Sequence, residues 1–204
     1  LLRVEHWTVH HPTQPGRIVV DDAAFDVRAG EVVGIAGLMG TGRTELAMSI
    51  FGRSYGRNIS GEVFVNGKAA DTATVGRAIN AGLAYVTEDR KSLGLILEEP
   101  IVRNITLANL LGVSKNGVLD KRRETQVAEG YRSAMAIRTP GVFQKVVNLS
   151  GGNQQKVVLS KWLFTDPQVL ILDEPTRGID VGAKFEIYQI MNDLAAQGRG
   201  VVMI

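Results

Sequence analysis

Apolar residues along this chain come either in compact blocks or at helical spacing, and the alternation between the two predicts its elements. Short blocks at 18–20 and 25–27 lead to residues 31–36, where length and β-branching predict a buried strand ending at Gly37. A glycine-rich stretch at 37–42 opens onto strong helix formers at 44–51, stopped by Gly52, so the predicted order is strand, glycine loop, helix. Residues 62–65 read as a strand entering a tight turn at Asn66-Gly67, which adds an antiparallel edge. A helix at 75–81 and a second buried strand at 83–86 follow.

Beyond Glu88 the pattern turns helical, near 100–110 and 120–135, with glycine-containing loops between; 88–150 is predicted to be a helical subdomain inserted into the sheet domain. Ser150 is read as the cap of a helix running to 164, which Asp166-Pro167 breaks. A third fully apolar strand at 169–172 ends on Asp173-Glu174, and a helix at 181–196 and a strand at 200–204 finish the chain. Strands alternating with helices predict an α/β fold with a mainly parallel sheet: one domain over 1–204, its core formed by 1–87 with 151–204. The chain opens on Leu rather than Met and stops within an apolar run, so it is read as a piece of a longer polypeptide.

Composition narrows the function classes. With 45% hydrophobic and 22% charged residues the chain should fold, and its formal charge of +2 does not require a nucleic-acid partner. The absence of cysteine excludes disulfides, thiolate metal sites and cysteine nucleophiles, and fits a reducing compartment. No apolar run approaches the roughly 18 residues that span a bilayer, and Arg3, Glu5 and His6 interrupt the stretch where a signal peptide needs an apolar core.

Three segments carry chemistry. Gly37, Leu38, Met39, Gly40, Thr41, Gly42, Arg43 and Thr44 match the phosphate-loop pattern G-x-x-x-x-G-K-[ST] except that Arg43 replaces lysine. Such glycines let successive backbone N–H groups turn toward a phosphate, with the following helix adding its dipole and Thr44 offering a hydroxyl to Mg²⁺; a plain strand-to-helix turn is the alternative. Asp173 and Glu174, at a strand end, have the character of a metal-holding carboxylate and a residue that orients the attacking water, although alone they could be a solvated edge. Leu149, Ser150, Gly151, Gly152, Asn153 and Gln154 put two glycines at a helix start, which helix stability does not explain; this reads as an anion site, with a plain N-cap as the alternative.

Together these segments resemble the ATP-binding subunit of ABC transporters, over essentially the whole chain. More narrowly, the loop through Glu45, the run Thr87-Glu88-Asp89-Arg90-Lys91, the 149–156 segment and 173–184 resemble the second, C-terminal ATPase domain of bacterial importers for simple sugars of the ribose, galactose and xylose type. The resemblance implies that residues 37–45 bind ATP, that Thr44, Glu88 and Asp173 serve Mg²⁺, and that Glu174 is catalytic. It further implies that 149–154 closes over the ATP of a partner domain and that Gly178-Ile179-Asp180 touches the partner site. Glu88 stands where most of the family has a glutamine, a departure because a carboxylate ligates a cation but is repelled by phosphate. Adenine stacking falls to His11 or its neighbour His10, with Trp7 read as core. The implied partners are a second ATPase domain, N-terminal in the same polypeptide, transmembrane permease subunits and, indirectly, a periplasmic or extracellular sugar-binding protein; nucleic acid is not among them. The implied location is peripheral, on the cytoplasmic face of the bacterial inner membrane, and the surface from Glu88 through about Asn104 is expected to meet the permease, with ordinary subdomain core as the equal alternative for its apolar members Leu95, Ile96, Leu97 and Ile101.

Two other readings compete with an energy-coupling ATPase. One is a nucleotide clamp or regulatory module with negligible turnover, for which Arg43 is the discriminating residue. The other, an ABC ATPase of chromosome or ribosome work, is disfavoured because the stretch between Glu88 and Leu149 is too short for the insertions such proteins carry.

Overall fold

Leu2, Val4, Trp7 and Val9 are buried along an opening strand, β1 (Leu2–His10), that the apolar pattern alone did not reveal. The alternation breaks between Val4 and Trp7 because His6, at φ 51°, forms a bulge that shifts the register by a residue. Strands β2 (Ile18–Val27), β4 (Arg57–Val65) and β5 (Lys68–Ala69) join β1 in an antiparallel sheet ordered β2–β1–β4–β5. The two predicted blocks at 18–20 and 25–27 are thus one strand. Asn66 and Gly67, both at positive φ, make the predicted tight turn between β4 and β5. The antiparallel strands form a sheet of their own. The structure is a computed structural model and describes all of residues 1–204.

A second sheet, ordered β3–β10–β9–β6, is built from β3 (Val32–Gly34), β6 (Leu83–Val86), β9 (Val169–Leu172) and β10 (Gly200–Met203). β10 runs parallel to both β3 and β9. Here one expectation is corrected: the apolar run at 31–36 gives a strand of three residues at the sheet edge, with Val32 41% exposed, because only β10 flanks it. β6 and β9 are fully buried, as their unbroken apolar character predicts. Helix α1 (Arg43–Ile50) follows the glycine loop, and α2 (Val75–Asn80) is capped by Thr74, whose side chain accepts from the Arg77 amide.

Contacts group Leu1–Tyr85, Pro167–Glu174 and Met191–Ile204 into one compact unit, and Val86–Asp166 with Pro175–Ile190 into another. The second holds α3 (Ile101–Thr106), a 3₁₀ stretch at Leu107–Val113, a hairpin of β7 (Ser114–Lys115) and β8 (Val118–Leu119), α4 (Lys121–Ala134) and α5 (Gly151–Leu163). Helix α6 (Val181–Ala196) contributes to both units. α5 therefore groups with the helical segment rather than with the sheets.

The glycines that open α5 have a packing cause. A Cβ on Gly152 would lie 2.5 Å from the Ala183 Cβ on α6, closer than two carbons can stand. Gly152→Ala is expected to destabilise the chain by about 1–3 kcal/mol, the cost of overpacking a close contact. Adding Ala183→Gly should recover most of the loss in a denaturant titration; no recovery would remove the contact as the cause.

Buried charge ties the same two helices. Lys156, 3% exposed, donates to the Ala136 carbonyl (3.1 Å) and pairs with Glu186 of α6 (2.7 Å), which Arg138 also reaches at 3.3 Å. The Lys156 hydrogen bond draws the Glu186 carboxyl below its usual value. A carboxyl depressed in the folded state contributes stability that is present above its unfolded pKa and is lost as pH falls through the folded value. Glu186→Gln should therefore destabilise at pH 7, and its deficit against the unaltered chain should shrink as pH is lowered below that of an ordinary glutamate. A deficit independent of pH would exclude the ion pair as its source.

Candidate functional site

The parallel register brings two loops to one end of the second sheet. Gly34 of β3 and Leu172 of β9 both pair with Met203 of β10, so the chain leaves β3 and β9 on either side of the same residue. The Ile35 amide donates to the Met203 carbonyl and the Glu174 amide to the Ile204 carbonyl. The glycine loop and Asp173-Glu174 thus emerge together at the carboxyl ends of parallel strands, where such sheets bind ligands.

Within the loop, Gly40 and Gly42 sit at φ 79° and 88°, a region other residues enter only with strain. A Cβ on Gly42 would meet the Val19 carbonyl oxygen at 2.4 Å, whereas one on Gly40 meets nothing within 4 Å. One glycine serves close packing; the other leaves its backbone open to a ligand. Thr41 Oγ1 donates to the Leu38 carbonyl (2.8 Å), and Leu38 and Met39 extend their side chains into solvent. No side chain caps α1, so its first amides and its dipole are left for an anion. The Arg43 stem folds back across Gly37, with Cδ 3.4 Å from where a Cβ on that glycine would stand.

Asp173 is fully buried. Its Oδ2 accepts from the Tyr85 hydroxyl on β6 (2.9 Å), while its Oδ1 is buried without a partner. An unpartnered buried carboxylate oxygen beside a phosphate-type loop fits a hydrated Mg²⁺, with Thr44 supplying the hydroxyl and Asp173 the carboxylate. When bound, Mg²⁺ would neutralise charge developing on the phosphates. Glu174 occupies the left-handed region at φ 41°, a strained conformation of the kind that collects at active sites. Tyr85, which orients Asp173, was hidden to sequence reasoning inside an apolar strand.

Just past the end of β1, His11 is held by the Thr13 and Gln14 amides, which donate to its Nδ1 at 3.2 and 3.1 Å; the proton of the neutral ring is then on Nε2. Tyr55, a neighbour that no motif points to, meets it edge-on with ring centroids 6.3 Å apart. Trp7 is core, 1% exposed, and donates to Ser49 Oγ at 2.9 Å.

The 149–154 segment lies in the second unit. Ser150 caps α5, accepting from the Asn153 amide and side chain, and Asn153 Oδ1 accepts from the Arg138 amide. Leu149 and Gln154 are buried, and Gln154 Nε2 donates to the Val146 carbonyl. Glu88 is ion-paired with Arg177, and Asp180 caps α6 by accepting from the Ala183 amide. Arg90 donates to the Arg177 carbonyl (2.9 Å) and the Gly178 carbonyl (3.3 Å). Burial lowers its pKa and the Asp89 carboxylate opposes the shift. Of the four apolar residues named for the permease surface, Leu95 and Ile101 are core, Leu97 is half-buried and Ile96 is 48% exposed; Leu93, Phe143 and Val147 are also exposed in the same unit.

This fold and these loops place the chain in the ABC transporter family: residues 20–177 match the family described as ABC transporter, and the chain belongs to it. It is 59% identical over its whole length to the L-arabinose transport ATP-binding protein AraG of Geobacillus stearothermophilus. It is 52% identical, again over its whole length, to the xylose import ATP-binding protein XylG of Geobacillus kaustophilus. It spans 40% of the length of each of these relatives. The ribose import ATP-binding protein RbsA of Clostridium perfringens strain 13 is 52% identical over 91% of the chain and 37% of its own length. Among solved structures, an ATP-binding cassette in a dimeric post-hydrolysis state with ADP and Pi superimposes on all of the chain and 87% of its own (TM-score 0.80, 20% identity). A nucleotide-free cassette from an ABC transporter does so over all of this chain and 80% of its own (TM-score 0.79, 19% identity). Both share the α/β fold.

Proposed function

We propose that this chain is the ATPase part of a subunit that energises import of a monosaccharide through a membrane permease. The observation that carries the reading is the buried, half-unpartnered Asp173 beside the open glycine loop, in a chain whose relatives are named for L-arabinose, xylose and ribose transport. ATP is held by the amides of 37–45 with Thr44 and Asp173 on Mg²⁺, Glu174 orients the attacking water, and His11 meets the adenine. Residues 149–154 complete the ATP site of a second ATPase domain in the same polypeptide. The surface from Glu88 to about Asn104, where Leu93 and Ile96 are exposed, docks the permease on the cytoplasmic side of the membrane, where the protein is peripheral. No helix is long and apolar enough to cross a membrane.

A second reading, a clamp with negligible turnover of its own, is favoured at the local site by Arg43: a guanidinium grips oxygens as a fork and is bulkier than the lysine it replaces. The two combine if the full protein hydrolyses ATP mainly at its other site. Reconstituting the full-length polypeptide with its permease in vesicles tests the proposal; uptake of a labelled pentose that requires ATP on the cytoplasmic side supports it, and ATP-independent uptake contradicts it.

A further inference from the structure

We infer that Arg90 is a positioning residue of the ATPase, a clamp that fixes the loop after β9 against the first turn of α5 and so holds the 150–152 segment in one shape. The inference rests on the ATPase reading above. Three stretches of the second unit meet at its guanidinium: the segment after β6, the 177–178 loop and the start of α5. Nη1 takes the Arg177 carbonyl and Nη2 the Gly178 carbonyl, so a single planar fork grips two successive peptide oxygens.

The side chain of Arg177 returns to the first stretch by pairing with Glu88, which closes a ring of one ion pair and two hydrogen bonds. A cavity of about 300 Å³ lies beside this ring, lined by Glu88, Asp89, Arg90, Lys91, Arg177 and Gly178. The neighbouring Asp89 is turned toward the backbone, its Oδ1 accepting from the Lys91 and Ser92 amides.

The clamp also accounts for Gly151. A Cβ there would stand 2.9 Å from Arg90 Nη2 and 3.2 Å from the Gly178 carbonyl oxygen, so any side chain would push the guanidinium off the loop. Gly178, at φ 66°, is the residue whose backbone turns its carbonyl toward Arg90. The loop from Pro175 to Asp180 has no strand ladder to hold it, and its end is fixed by the Asp180 cap on α6. Arg90 holds the middle.

Arg90→Ala and Arg90→Lys in the full-length protein, reconstituted with its permease, test the clamp with two readouts: kcat and KM for ATP, and amide hydrogen exchange at 150–153 and 177–180. Arg90→Ala should lower kcat about tenfold or more, the factor of one lost hydrogen bond to a charged group, with KM for ATP nearly unchanged and exchange at both segments raised. Arg90→Lys, gripping one carbonyl instead of two, should fall between. Unchanged kcat and exchange in Arg90→Ala would overturn the inference, as would a raised KM at constant kcat, which would make Arg90 a nucleotide contact. Should the unaltered protein hydrolyse no ATP, the functional reading fails while the exchange comparison still decides the clamp: raised exchange keeps it and unchanged exchange removes it.

Discussion

Asp173→Asn is expected to weaken Mg²⁺-dependent nucleotide binding by this chain about 10- to 100-fold, the loss of one charged ligand, while raising its melting temperature. The two effects share a cause. Asp173 is buried with Oδ1 unpartnered, and the single hydrogen bond from Tyr85 offsets only part of the hydration its carboxylate loses. An asparagine keeps an acceptor for the Tyr85 hydroxyl and carries no charge, so the folded state gains as the metal ligand is lost. A fluorescent ATP analogue titrated with and without Mg²⁺, beside a thermal melt, measures both. A lowered melting temperature with Mg²⁺ dependence intact would mean that Asp173 is a structural acid.

Gly151→Asp should nearly abolish ATP hydrolysis and sugar uptake by the full-length transporter. On the scale of losing one preorganised donor the effect is about 2–4 kcal/mol, or roughly 30- to 1000-fold in turnover. Two physical routes lead there. The carboxylate would face the phosphate that the Ser150 to Gly152 amides are proposed to meet, and its Cβ would enter the space of Arg90 and the Gly178 carbonyl. Gly151→Asn, with the same bulk and no charge, separates them: if repulsion of phosphate adds to the crowding, Gly151→Asn should retain more activity than Gly151→Asp. Equal loss in the two variants would assign the whole effect to the crowding of Arg90 and the Gly178 carbonyl.

Much of this site was legible in the sequence because phosphate chemistry imposes local patterns. The loop at 37–44, the acids after an apolar strand and the serine-capped glycine pair each lie within a few consecutive residues, and β6, β9 and α6 fall on their predicted spans. What stayed hidden depends on contacts between distant segments. β1 is masked in the sequence because the His6 bulge interrupts its alternation, and the apolar run at 31–36 overstates its strand because apolar character does not reveal an edge. Tyr85 on Asp173, Arg90 on Arg177 and Gly178, and Ala183 against Gly152 join residues far apart in the chain, so no spacing rule announces them. The glycine pair shows the difference well. An anion site motivated it from sequence, whereas the structure adds that α6 and Arg90 leave no room for side chains there.

Under the proposed function, residues 149–154 serve the ATP site of a partner domain, and they carry more of the turnover than the local loop, where Arg43 and Glu88 depart from the family pattern. Steady-state ATP hydrolysis by Gly151→Asp and Glu174→Gln, compared side by side in the full-length protein with its permease in vesicles, tests this most directly. Near-complete loss for Gly151→Asp and a smaller loss for Glu174→Gln are expected; greater damage from Glu174→Gln would make the local site the working one and overturn the asymmetry.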